Sequence, residues 1–173
     1  VVAQEGRRTN VSADHVDRVD DFVNASRGEE VLVSRVRNAL RKLAAGLPLG
    51  GEAVWPGLRN DLFVAHESIY RFAATWAAGS RVLDAACGTG YGSELLVGAG
   101  AVSVMGVDRN RWRIGYARRT FRSSALTFEL GDCEALPFAA GSFELVVSSN
   151  TMEHLAHLER FLAGVARALV TRP

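Results

Sequence analysis

Apolar and polar positions follow two different periods along the second half of the chain. Short apolar runs bounded by turn residues are typical of buried strands. Four such runs occur: residues 81–84, 103–107, 126–130 and 143–148. Between and after them, apolar residues recur at helical spacing and predict helices over about 92–98, 111–121 and 155–169. Strands that alternate with helices through short turns favour a parallel sheet covered by helices, which is an α/β fold.

The first third of the chain has a different pattern. Residues 1–21 are polar without a sustained period, and we expect a loose arm or a partner-docked extension there. Ser26 and Glu29 form a capping-box pattern that starts an amphipathic helix ending at Gly46. Residues 47–60 read as a loop, and 66–78 as another helix. We therefore predict an N-terminal arm and helical extension over 1–60 and a main domain over 61–173.

Composition limits the classes of function. The 173 residues are 48% apolar and 23% charged, enough for one core without disulfides. The net charge is +1 and the basic residues are distributed along the chain, so we expect no nucleic-acid partner. No stretch has the composition of a membrane span or a secretory signal. The two cysteines do not form a disulfide framework, and a cytoplasmic location fits best.

A glycine-rich turn joins the first of these strands to the next helix. It reads Ala86-Cys-Gly-Thr-Gly-Tyr-Gly92. Glycines let a ligand approach bare backbone, and the following helix presents unpaired N–H groups to the crevice. Close packing of a strand against a helix also requires glycine. The turn alone leaves ligand binding and packing both open.

Carboxylates follow the next two predicted strands. Asp108 ends the second strand, 18 residues after Gly90. Nucleotide-binding α/β units place an acid about 20 residues beyond the glycines, where it accepts ribose hydroxyls. Asp132 lies just beyond the third strand, where it can accept an amine proton from adenine or cap a turn. The carboxyl ends of parallel strands share one edge, so we predict a shared crevice.

These segments together resemble the class I, Rossmann-like methyltransferases that depend on S-adenosylmethionine, and specifically their small-molecule group. The first motif of that group is V-L-D-x-x-C-G-T-G, and residues 82–90 match it. The motifs occur in the family's order at residues 81–92, 106–108, 131–138 and 142–155. The resemblance implies a Rossmann-like domain with S-adenosylmethionine as its cofactor. The G-x-G-x-G spacing makes a dinucleotide a poor second choice.

The resemblance also implies roles for individual residues. The turn at Gly88 and Gly90 would contact the methionine moiety, Asp84 would orient the loop and the amino group, and Asp108 would bind the ribose. Asp132 and Cys133 would line the adenine edge, and Tyr70 would close over the cofactor. The complete set of cofactor-binding candidates is Asp84, Ala86, Cys87, Gly88, Gly90, Asp108, Arg109, Asp132, Cys133, Asn150 and Tyr70.

The chain departs from the family at its end. After residues 167–173 the family would continue into a fifth strand and a closing hairpin, so we expect a sheet that lacks its C-terminal strands. The chain is then a fragment, or a partner chain or second copy covers the edge that would otherwise stay unpaired.

The chemistry implied by the resemblance needs few catalytic groups. A sulfonium methyl is already activated, so bringing a nucleophile into line with it is the main task. His154 is the candidate general base for a hydroxyl acceptor, with a structural or substrate-orienting role as its alternative. Cys87 is better explained as a small turn residue than as a nucleophile, and His15, His66 and His157 have no metal-site spacing.

We therefore expect an enzyme that methylates a small molecule, through a hydroxyl or amine of a metabolite, sugar or lipid. The alternative is a non-catalytic cofactor-binding or regulatory module with the same fold.

Overall fold

The computed structural model describes residues 2–4 and 61–170, which belong to one compact unit. The predicted helix that starts at Ser26, the loop over 47–60 and the boundary at residue 60 lie outside the described residues. The described strands are β1 (Val2–Gln4), β2 (Arg81–Ala85), β3 (Ser103–Asp108), β4 (Leu126–Leu130) and β5 (Leu145–Val147). The described α-helices are α1 (Asp61–Ala74), α2 (Tyr91–Gly98), α3 (Arg111–Thr120) and α4 (Leu158–Ala168).

The strands form one sheet in the order β1-β5-β2-β3-β4. Four strands are parallel to one another: β5, β2, β3 and β4. The edge strand β1 pairs antiparallel with β5. The chain therefore leaves β2 toward β3 on one side and later returns to place β5 on the other. This change of direction beside β2 is the place where open α/β sheets bind ligands, outside the carboxyl ends of the strands. The predicted α/β, Rossmann-like fold is confirmed.

Helices cover the two faces of the sheet. Side chains two residues apart on a strand share a face, so Val82 and Asp84 point one way and Leu83 and Ala85 the other. The Val82 face packs in a cluster with Tyr70, Ala73 and Leu96 of α1 and α2. The Leu83 face packs against Phe161, Val165 and Ala168 of α4. A third cluster joins Ile114 and Ala117 of α3 to Phe128 of β4.

Several predicted boundaries shift for visible reasons. Strand β5 begins at Leu145 because the backbone of Phe143 instead bridges to Leu169, and the carboxylate of Glu144 binds the guanidinium and backbone N–H of Arg81. Helix α1 ends at Ala74 rather than residue 78, since the N–H of Trp76 bonds three residues back, to Ala73.

The expectation of a loose arm is wrong for residues 2–4, which form β1 on the outer edge of β5. That edge was expected to stay unpaired or to be covered by another chain, but along Leu145–Val147 it is paired within the chain. Among the described residues, no helix combines the length and apolar character that crossing a membrane requires.

Candidate functional site

Two non-glycine residues with left-handed backbone lie at the carboxyl ends of neighbouring strands. Ala86 follows β2 with φ 63°, and Asn150 comes three residues after β5 with φ 49°. They are the non-glycine residues with positive φ in the described part of the chain. Such conformations cost about 1–3 kcal/mol each and concentrate at functional sites. Both flank the point where the strand order changes direction, so the backbone itself marks this edge of the sheet.

The structure separates the two explanations of the glycine turn. A Cβ on Gly90 would meet Ala117 and the ring of Phe128 at 2.8 Å, and one on Gly92 would overlap the ring of Tyr70. These two glycines are required by packing. Gly88 is different, because nothing lies within 4 Å of the place its Cβ would occupy. Gly88 is therefore the glycine of the turn whose backbone faces open space.

Asp108 ties the glycine turn to the end of β3. Its carboxylate is 4% exposed and accepts the N–H of Gly88 at 3.0 Å and that of Asn110 at 2.8 Å. The guanidinium of Arg113 lies 3.9 Å from the same carboxylate. A carboxylate has about four lone-pair positions, so each oxygen can accept one further hydrogen bond from a ligand. Asp108 is therefore adjacent to Gly88 and retains the capacity to bind hydroxyls.

Asp132 and Cys133 extend the same edge beyond β4. Asp132 is exposed, and one of its oxygens caps the short 3₁₀ helix Cys133–Ala135 by accepting the N–H of Glu134. The N–H of Gly131 bonds to the carbonyl of Asp108, which holds this segment beside β3. The turn-cap and the ligand-binding explanations of Asp132 are thus compatible, since the cap uses one of its two oxygens.

Both cysteines are too buried to act as nucleophiles. Burial raises the pKa of the Cys87 thiol well above its usual value, and the nearby Asp84 raises it further. Burial likewise raises the pKa of Cys133 to about 12, which leaves both side chains as neutral thiols at neutral pH. This agrees with the interpretation of Cys87 as a small turn residue.

Asp84 and Tyr70 form a buried hydrogen bond. Asp84 is fully buried, and each of its oxygens accepts one hydroxyl: one accepts that of Tyr70 at 2.8 Å, and the other that of Ser93 at 2.6 Å. Tyr70 is 3% exposed. These contacts join α1 and α2 to the end of β2. The roles expected for Asp84 at the amino group and for Tyr70 as a closing side chain stay predictions.

The remaining candidates are exposed around the rim of this edge. Arg109 follows Asp108 directly, and Asn150 lies in the segment after β5. His154 ends the 3₁₀ helix Met152–His154 in that segment. The hydroxyl of Ser148 bonds to the carbonyl of Ala85, which ties the end of β5 to the end of β2. Ala86, Gly88, Asp108 and the segment after β5 are therefore brought to one edge of the sheet.

Sequence reasoning missed Glu134. Its carboxylate accepts the N–H groups of Ala156 at 2.7 Å and His157 at 3.1 Å, directly before α4. It thereby connects the segment after β4 to the segment after β5. The partners are backbone groups more than twenty residues away, so no local pattern marks this residue, apart from its place in the motif that contains Asp132.

Comparisons with known proteins agree with this geometry. A family model described as a methyltransferase domain matches residues 82–172, from β2 to beyond the end of α4. A protein of Mycolicibacterium smegmatis described as a probable S-adenosylmethionine-dependent methyltransferase is 34% identical over 129 residues, which cover 73% of this chain and 49% of that protein.

A second relative, the phthiotriol/phenolphthiotriol dimycocerosates methyltransferase of Mycobacterium leprae, is 35% identical, with 61% of this chain and 40% of that protein covered. The chain therefore spans about half the length, or less, of these relatives. Among solved structures, an S-adenosylmethionine-dependent methyltransferase of Mesorhizobium loti matches with a TM-score of 0.53 and 26% identity, covering 58% of this chain and 51% of that one. The chain belongs to the class I, Rossmann-like methyltransferases that depend on S-adenosylmethionine.

Proposed function

We propose that this protein transfers a methyl group from S-adenosylmethionine to a small-molecule acceptor. The observation that carries the proposal is the edge where Gly88 presents open backbone beside the carboxylate of Asp108. Ala86 of the same turn and Asn150, after the neighbouring strand β5, have left-handed backbone at this edge. We further propose that residues 61–173, together with strand β1, form the cofactor-binding domain and that the rest of 1–60 forms an arm and helical extension.

The residues at this edge fit the cofactor that the family implies. S-adenosylmethionine carries a ribose with two hydroxyl donors, an adenine amine and a charged amino-acid tail. Asp108 supplies a carboxylate with free acceptor positions for the hydroxyls, and Asp132 is exposed with one oxygen outside its cap. The uncovered backbone at Gly88 leaves room for the tail. We assign Ala86, Cys87, Gly90, Arg109, Cys133 and Asn150 to the walls of the same crevice.

We propose that Asp84 and Tyr70 affect the cofactor site indirectly. Their buried hydrogen bond fixes the end of β2 against α1, and Ser93 fixes it against α2. The glycine turn lies between these anchors and Asp108. We propose that they are positioning residues that hold the turn open, not groups that touch the cofactor.

The chemistry divides simply between cofactor and protein. The bound cofactor supplies a methyl group already activated by its sulfonium. The protein has to hold the acceptor atom in line with that methyl at about 3–3.5 Å and exclude water. His154 lies in the segment after β5, where it can take a proton from a hydroxyl acceptor or orient it. Glu134 holds that segment at the start of α4.

A lipid hydroxyl is our proposed acceptor. The relative from Mycobacterium leprae is named as a methyltransferase of phthiotriol and phenolphthiotriol dimycocerosates. This supports an acceptor of that kind because the relative is 35% identical to this chain over 108 residues.

The proposal is tested in two stages on the full chain. Isothermal titration calorimetry with S-adenosylhomocysteine should detect one binding site, and no binding would contradict the proposal. Transfer of labelled methyl from S-adenosylmethionine is then measured with a hydroxylated lipid and with the same lipid lacking the hydroxyl. Label should enter only the hydroxylated lipid. Tight cofactor binding without transfer to any acceptor would favour the non-catalytic module.

A further inference from the structure

The described part of the chain has one strongly basic surface, at α3. Six arginines lie between positions 109 and 122, and no acidic residue occurs between Asp108 and Glu129. Even with those two carboxylates included, residues 108–129 carry a charge of +4 in a chain whose net charge is +1. The stretch from Arg109 to Arg122, which includes α3, therefore has a local excess of positive charge that the net charge of the whole chain does not show.

Most of these arginines are directed to solvent. Arg109, Arg111, Arg118, Arg119 and Arg122 are exposed, whereas Ile114 and Ala117 of the same helix are buried against the sheet. Arg113 is half-buried and lies near Asp108. Helix α3 thus packs through its apolar side and presents guanidinium groups over the rest of its surface.

An open groove continues this surface at the end of α3. It has a volume of about 610 Å³ and lies between the end of α3 and the outer edge of β4. Arg118 and Arg122 line it together with the hydroxyl groups of Ser123, Ser124 and Thr127. Glu129 is the acidic residue of its wall. Guanidinium and hydroxyl groups are the donors that bind phosphate oxygens.

We propose that the α3 surface, meaning α3 and this groove, docks the protein on anionic phospholipid headgroups. The choice of a lipid surface rests on the proposed function, in which the acceptor is a lipid. Anionic membrane surfaces attract clusters of arginine and lysine. Helix α3 begins at Arg111, three residues after Asp108, so docking along its roughly 15 Å length brings the cofactor edge to the membrane surface.

The aromatic residues of this surface favour phosphate over nucleotide bases as the ligand. Proteins that bind single-stranded nucleic acid stack bases on accessible aromatic rings. Trp112 and Tyr116 instead stack on each other, with ring centroids 6.0 Å apart, and are half-buried. Phe121 and Phe128 of the groove are 9% and 4% exposed. The surface therefore offers charge and hydroxyl donors without an accessible aromatic platform.

The test is sedimentation of the full chain with vesicles. Vesicles of phosphatidylcholine with about 30% phosphatidylglycerol should bind the protein at low salt, and pure phosphatidylcholine should not. The double variant Arg119→Gln/Arg122→Gln should lower the partition coefficient about tenfold or more. Arg119→Lys/Arg122→Lys keeps the charge and should retain most of the binding. The matched control Arg71→Gln/Arg160→Gln removes two exposed arginines from α1 and α4. It should change the partition coefficient less than about twofold.

Besides displacement by a soluble phosphate, three results would overturn the proposal. These are equal losses in the two glutamine variants, no preference for phosphatidylglycerol, and tighter binding of a single-stranded RNA at the same salt. Soluble glycerol phosphate at millimolar concentration should not displace the vesicles, and displacement would assign the groove to a free phosphate compound instead. Affinity for S-adenosylhomocysteine should be unchanged in Arg119→Gln/Arg122→Gln, which shows that the variant is folded and separates this result from a failure of the proposed methyl transfer.

Discussion

Asp108 is the side chain on which the proposed cofactor site most depends. Its carboxylate already holds the N–H of Gly88 and retains acceptor positions for a ribose. Replacement by alanine should weaken binding of S-adenosylhomocysteine by about 1–3 kcal/mol, roughly 5- to 150-fold, the range for removing the partner of buried hydrogen bonds. Calorimetry measures this directly. Unchanged affinity in a folded Asp108→Ala protein would remove Asp108 from the site.

Tyr70 and Tyr91 allow a matched comparison of the free energy of unfolding. The hydroxyl of Tyr70 bonds to Asp84, whereas the buried hydroxyl of Tyr91 has no hydrogen-bond partner among the residues that the structure describes. Tyr70→Phe should lower the free energy of unfolding by about 1–3 kcal/mol, because it leaves a buried carboxylate oxygen with one donor fewer. Tyr91→Phe removes an unsatisfied group and should be neutral or stabilising by up to about 1 kcal/mol. Urea unfolding distinguishes them, and equal losses would contradict the assigned contacts.

The carboxyl group of Asp84 connects strand β2 to helices α1 and α2. Burial raises the pKa of Asp84 to about 6, although its hydrogen bonds from Ser93 and Tyr70 oppose the shift. The folded protein therefore holds this proton more tightly than the unfolded chain does. The stabilisation that comes from protonated Asp84 is complete below about pH 4 and is lost as the pH rises through about 6.

The Asp84→Asn variant isolates this effect. Relative to the variant, the wild-type protein should lose stability between about pH 4 and pH 6.5, by about 3 kcal/mol at most. The measurement is urea unfolding of both proteins across this pH range. A wild-type stability that rises relative to the variant over the same interval would contradict the raised pKa.

The glycine turn gives a second test between elements. A Cβ at position 90 would meet α3 and β4, while a Cβ at position 88 meets open space, although both glycines have positive φ. Gly90→Ala should therefore lower the melting temperature markedly more than Gly88→Ala. Gly88→Ala should instead reduce cofactor affinity. The opposite order in thermal denaturation would show that the packing has been misassigned.

The elements of the parallel sheet were predictable from sequence because their apolar runs and glycine turns are local signals. Strands β2, β3 and β4 match prediction to within one residue at each end. Strand β5 is shorter and β1 was missed, since both depend on pairing between distant residues, which no local pattern records. The burial of Asp84 escaped prediction for the same reason: its donors come from α1 and α2.

For the whole molecule, the motifs were sufficient to predict the family and the cofactor, because they follow one another at fixed places in the fold. They did not indicate which carboxylate holds the glycine turn. Asp108 accepts the N–H of Gly88, whereas Asp84 is fully buried and binds the hydroxyls of Tyr70 and Ser93. That the arginines of α3 are exposed becomes visible only when the helix is seen to bury its apolar side.

The proposed cofactor site can be checked in a crystal structure of the full chain with S-adenosylhomocysteine. We expect the ribose hydroxyls to bond to Asp108, the amino-acid tail to pass over the backbone of Gly88, and adenine to lie beside Asp132. A ligand bound elsewhere, with Gly88 and Asp108 left in solvent, would contradict the proposed site.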